Sequence, residues 1–342
     1  MYSRWANLTS LILTNLRCAS SLAPSAFLSA HPNLQVLHMD ISINVGAALT
    51  SPLQLSPGSL PRLREIKASR EIINAVLECP LFASASSPSA RPLECVKGFK
   101  LSGNWSSSQQ SSSRSISDTI FLSNLKQMAH TIRRVEMVGW HDMEDVKKLT
   151  ACIPNVQHLD VGRRLGGVTV NPRHASSIEK AAPATNMVEW VELLTTLPDL
   201  ISMHGVRFFY EVSSVASTTT SLSSNNNNTY SNGQTPSSIP GHNVVISISQ
   251  PSHVSKQGYS NTQTSPSMME RSRMRKNDEI AGVLAWKCKK LRRLDHWDES
   301  GGKVIVLLRD HEHGWEGVGL NGKERLTSAA TKVRWEVRRL KT

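Results

Sequence analysis

The stretch HPNLQVLHMD, His31 to Asp40, is written a second time as IPNVQHLDVG, Ile153 to Gly162. Both run through Pro and Asn into apolar residues set three and then two apart: Leu34, Leu37 and Met39, and Val156, Leu159 and Val161. A ten-residue phrase repeated more than a hundred positions away asks whether the rest of the chain is built from the same unit.

It largely is. The template L-x-x-L-x-L, with any apolar residue at L, fits from Leu8, Leu34, Leu63, Val96, Ile132 and Val156, and in degraded form from Leu200 and Leu291. Successive starts are 26, 29, 33, 36, 24, 44 and 91 residues apart. In front of most copies stands a stretch with apolar residues at helical spacing, as in MEDVKKLTACIP, where Met143, Val146 and Leu149 recur every third residue. Several of these stretches run into Pro, which cannot continue a helical ladder. The unit reads as helix, short turn, short strand. The alternating tail of the template suits a strand with one buried face.

LTSLILTNLRC, from Leu8, and VKGFKLSGN, from Val96, resemble leucine-rich repeats. The long, irregular units are similar to those of F-box/leucine-rich-repeat proteins, in particular divergent fungal ones. That resemblance implies an α/β fold: an irregular right-handed solenoid of seven or eight repeats. It also implies a role like the substrate-recognition part of a ubiquitin-ligase receptor. Such receptors carry a helical F-box ahead of the repeats. None is recognisable here, since a repeat strand follows Met1 almost at once, so docking on a ligase adaptor is left open.

Stacked repeats bury their template residues against one another, so Leu37, Met39, Phe99, Leu101, Val135, Met137, Leu159 and Val161 are expected core. Truncating one to Ala is expected to cost about 2 to 5 kcal/mol. The intervening residues face outward on a concave sheet. His38, Asp40, Lys67, Lys100, Arg134, Glu136, His158, Asp160, His204 and Asp295 are the expected partner-binding set. Along the array Lys67 and Lys100 give way to Glu136 and Asp160. Mixed signs suit a protein or peptide partner better than a phosphate backbone, which wants one sign throughout; the resemblance implies that this partner is a ubiquitination substrate. Long insertions mostly follow a strand and precede a helix, which puts them on one rim and makes them further candidates for binding.

Three segments follow: residues 1–212 as the repeat array, 213–276 as a Ser-, Thr- and Asn-rich insertion with too few large apolar residues to order itself, and 277–342 as the last repeat and a cap. KVIVLLRD and VRWEVRRLK in the last segment read as two strands of a hairpin-like cap.

Composition bounds the remaining choices. The chain has 342 residues, 39% of them hydrophobic and 5% aromatic, with a net charge of +12. From Arg271 onward 18 Lys and Arg face 10 Asp and Glu, against 21 and 17 before it, so the basic excess is concentrated at the C-terminal end. RSRMRK (Arg271 to Lys276) and KCKKLRR (Lys287 to Arg293) support a second reading, a basic nuclear protein that binds nucleic acid or an import receptor. No apolar run is long enough to span a membrane and no secretory signal is evident, so a cytoplasmic or nuclear location is expected. Five scattered cysteines read as reduced thiols.

Enzyme motifs fail on context. GVGLNG, Gly317 to Gly322, follows no strand closely and leaves too little chain after it for a dinucleotide fold. His311 and His313 lack further converging ligands, so no metal is expected. No nucleophile elbow or Cys/His signature is present. The expectation is a binding protein with no catalytic residues and no cofactor.

Overall fold

A computed structural model of the chain describes residues 5–18, 20–43, 53–81, 91–102, 112–165, 186–212, 266–297, 302–310 and 332–339. The fold is mixed α/β, in two compact units: Met1–Ser176 with Asn186–Val206, and Ser177–Thr185 with Arg207–Thr342. Most of the 213–276 insertion, much of the rim loops, GVGLNG and the His311/His313 pair lie outside the described residues.

In the first unit β1 (Ser10–Cys18), β2 (Val36–Ile43), β3 (Glu65–Ala68), β4 (Cys95–Lys100), β5 (Arg134–Trp140) and β6 (His158–Asp160) lie side by side in chain order. β7 (Arg163–Arg164) runs beside the end of β5, and β8 (Ser202–His204) follows β6. Every pairing is parallel. Parallel neighbours need a crossover, and helices supply most of these: α1 (Leu22–Ser29), α2 (Arg70–Glu78), α3 (Ser112–Gln127), α4 (Met143–Cys152) and α5 (Met187–Thr195). Between β2 and β3 the described residues hold no helix; Leu53, Leu60 and Leu63 are buried there instead.

The repeated phrase has a physical explanation. Pro32, Pro61, Pro154 and Pro198 each stand one residue into a turn. That turn is closed by the N–H of Leu34 on His31 O, Leu63 on Leu60 O, Val156 on Ile153 O and Leu200 on Leu197 O, at 3.2 to 3.3 Å. Proline's fixed φ suits that turn position. The residue after the first apolar template position locks neighbouring strands together in five of the units. The carbonyls of Gln35, Arg64, Glu94, Arg133 and Gln157 each accept two N–H groups from the entry of the next strand, at 2.7 to 3.1 Å. The apolar template positions fall in register: Leu37, Ile66, Val96, Val135, Leu159 and Met203 form one row across six strands, and all are fully buried.

One strand departs from the expected register. Val96 pairs with Ile66 and Val135, so the buried Leu93, not Val96, opens that copy of the template. An extra residue then bulges out at Gly98, whose φ of +83° favours glycine. The bulge lets Phe99 reach the core opposite Met137.

In the second unit α6 (Met268–Lys287) is followed by β9 (Arg293–Asp295), β10 (Lys303–Asp310) and β11 (Lys332–Arg339), paired antiparallel in that order. One side of these strands carries Leu294, Ile305, Leu307, Val333 and Trp335, all buried. The Trp335 indole N–H donates to Asp278 Oδ1 of α6 at 2.9 Å and its ring lies 5.5 Å from Phe209. Here too the structure differs from expectation. α6 starts at Met268, inside the stretch assigned to the insertion, because Ser267 caps it by accepting the Glu270 N–H at 3.2 Å. RSRMRK is therefore helical.

Candidate functional site

Because side chains alternate along a strand, the buried row fixes what faces the other way. Two rows, polar except for Val36 and Cys95, cross the open side of the first unit's parallel sheet. One is His38, Lys67, Lys97, Glu136, Asp160 and His204; the other is Val36, Glu65, Cys95, Arg134, His158 and Ser202. With neighbouring strands about 5 Å apart, each row is a ladder in which every side chain has a neighbour within reach.

The charges are cross-linked. Glu65 takes His38 Nε2 at 2.8 Å and Lys97 Nζ at 2.9 Å; Lys97 also lies 3.7 Å from Glu136, which takes Arg134 Nε at 2.5 Å. Lys97 and Glu65 are largely covered, their side chains 16% and 27% exposed. Burial works against the Glu65 carboxylate, but hydrogen bonds from Lys97 and His38 outweigh it and hold its pKa below the usual 4.5. Burial likewise opposes the Lys97 ammonium, and the bond to Glu65 outweighs it, raising the pKa above 10.5. Cys95, between these charges, is buried enough to push its thiol to about 11, so it is not a nucleophile at neutral pH.

Of the residues expected to bind a partner, Lys67, Glu136, His38, Asp160 and His204 stand in the first row, and Arg134 and His158 in the second. Lys67 and Arg134 are well exposed. His158 Nδ1 is 2.8 Å from Ser202 Oγ, and Asp160 Oδ1 accepts the Gly162 N–H at 2.9 Å. Asp40 is exposed on β2 beyond Met39. Lys100 lies past the Gly98 bulge, exposed and paired with Gly139, and it is Lys97 that occupies the ladder. Asp295 belongs to the second unit, opposite Val304 on β10. Sequence reasoning missed Lys97 because it opened the template at Val96; the Gly98 bulge carries Lys100 out of the ladder and leaves Lys97 in it.

A second set of polar groups went unread. Asp118 accepts the Ser102 N–H at 2.9 Å and bonds Arg70; Asp145 accepts the His141 N–H at 2.9 Å and donates its own N–H to Asp142 Oδ1 at 3.1 Å. In the second unit Asn277 exchanges bonds with the backbone of Tyr210 at 2.8 and 3.0 Å. All three are essentially buried, and each pins the backbone leading from a strand towards a helix. They are structural clamps, and Asp118 and Asp145 fix the rim of the first unit's sheet.

Among the described residues no group of three His, Cys, Asp or Glu is placed to hold a metal ion, and no helix is long and apolar enough to cross a membrane. No family model matches the chain, and neither a curated protein nor a solved structure is significantly similar to it.

Proposed function

We propose that the first unit is a leucine-rich-repeat-like, protein-binding array, and that its partner lies across the open face of the parallel sheet. The observation that carries this reading is the two-row ladder of Glu65, Lys97, Glu136 and Arg134, flanked by exposed Lys67. Its two rows oppose each other in sign, so each half of the face is partly neutralised from within. Such a surface offers a protein donors and acceptors in a fixed pattern while holding little net field to attract a polyanion. The in-register apolar row and the repeated turn support a solenoid, each strand and helix burying its template residues against the next. By resemblance the array corresponds to the substrate-recognition part of an F-box ubiquitin-ligase receptor, and its partner is a ubiquitination substrate.

The test is affinity purification of the tagged chain from its native cell, followed by mass spectrometry, with and without Asp40→Ala, Lys67→Ala and Arg134→Ala together. All three residues are exposed, so the variant is expected to fold. The reading expects a protein that the intact chain retains and the variant loses, accompanied by a ligase adaptor and cullin. A partner held equally by both refutes the face assignment. Retention of nucleic acid in its place, lost between about 50 and 200 mM salt, favours the basic-protein alternative.

A further inference from the structure

The second unit carries a site unrelated to the ladder. On β9 to β11 the side away from α6 is set by pairing: Arg293 stands opposite Val306, which stands opposite Glu336, while Arg338 and Arg334 stand opposite Val304 and Leu308. Directly opposed residues share a side, so Arg293, Arg334 and Arg338 converge although they are distant in sequence. Arg292 joins them because its carbonyl takes the Leu307 N–H at 2.8 Å; Arg309 and Arg339 border the cavity from positions whose pairing with Val333 and Lys303 puts them on the α6 side. Among the described residues these six arginines line a cavity of about 550 Å³ together with Val304, Val306, Leu307 and Leu308. No carboxylate among the described residues lines it. Glu336, on the same side, bonds Arg338, and Arg309 is turned onto the carbonyls of Ala285, Cys288 and Leu291 at 2.7 to 3.3 Å.

The chemistry of this wall is selective. Its described cations are all arginine, whose planar fork matches the oxygens of a phosphate or carboxylate bidentately. The volume suits a small ligand or a single modified side chain rather than a strand of nucleic acid. On this side of the strands Arg293, Arg334 and Arg338 outnumber the carboxylates Asp295 and Glu336, so an anion with several oxygens and more than one charge suits it best. We propose that the arginine-lined cavity of the second unit is a binding site for a phosphate monoester, carried on a protein side chain or as a small organic phosphate.

The test uses the full chain at constant ionic strength. The probes are inorganic phosphate, a fluorescent peptide with one phosphoserine, the same peptide with serine, and a single-stranded oligonucleotide. The phosphopeptide is expected to bind at least about tenfold more tightly than its unmodified twin, because the charge-assisted bonds go to the phosphate, and inorganic phosphate displaces it. Arg293→Gln with Arg339→Gln, both exposed, abolishes that preference, whereas Arg271→Gln with Arg275→Gln, which removes equal charge from α6, leaves it intact. Inorganic phosphate bound specifically, with no preference between the peptides, supports the site and assigns its ligand to a small organic phosphate. The proposal is overturned if phosphate acts no differently from chloride. It is also overturned if the α6 pair matters as much, or if the oligonucleotide is the ligand that the cavity variant loses.

Discussion

At the scale of single residues, the Glu65–Lys97 pair shows how the open face is held. Each partner is more strongly ionised than usual, in opposite directions, so the pair contributes stability over a defined range. Glu65 has a depressed pKa, so its contribution is present above the usual 4.5 and is lost as pH falls through the lower folded value. Lys97 has a raised pKa, so its contribution is present below 10.5 and is lost only as pH rises through the higher folded value. Glu65→Gln is expected to destabilise the chain by about 1 kcal/mol at neutral pH, a typical worth for a partly covered pair. Urea unfolding of wild type and variant checks this: the gap between them should close on the acid side, and a gap that stays constant with pH means that the pair adds nothing. Little of this was legible beforehand. The template marked Glu65 as outward-facing, but VKGFKL fits it from Val96 while LECVKG, from Leu93, ends on Gly98, and only pairing geometry shows that Leu93 opens the repeat. Asp118, Asp145 and Asn277 were equally hidden, because a buried polar group is recognisable only once the backbone it bonds is in place.

At the scale of elements, periodicity did most of the work. The apolar spacing in MEDVKKLTACIP and REIINAVLECP is realised in α4 and α2, whose Val146, Leu149, Ile73 and Val76 are fully buried. The alternation that follows each turn is realised in the strands. α6 was read short because its first turns have no apolar face: Met268 and Met269 are exposed there, at 85% and 67%. The only sequence signal for its start was the Ser267–Glu270 cap. The strand ends depend on close backbone approach. Gly162, just after β6, has a φ of +63°, and a Cβ on it would lie 2.4 Å from the Val138 carbonyl oxygen. Gly162→Ala is therefore expected to cost about 1 to 3 kcal/mol, the range for a strained backbone position, and more if the strands must separate. Thermal unfolding measures it; an unchanged melting temperature contradicts the close approach of these two strands.

At the scale of the whole molecule, the described residues form a run of parallel strand–helix units, then a C-terminal part whose last two strands pair with each other. The arginine cavity could not be foreseen, since its six residues lie between positions 292 and 339 and meet only through antiparallel pairing. The charged ladder was half visible, as a basic part giving way to an acidic one. Its second row of opposite sign emerged only with the register, and it turns a graded field into a nearly balanced surface. The identity of a partner is not written in these residues at all. The central claim is that this open face, and not the helix-bearing side, meets a protein. Its most direct measurement places a photo-crosslinking amino acid at Lys67 on the open face or at Lys148 on α4 and compares the adducts formed in the native cell. A discrete protein adduct from Lys67 that Lys148 does not give is the predicted result; the same adduct from both positions, or an adduct from Lys148 alone, contradicts the claim.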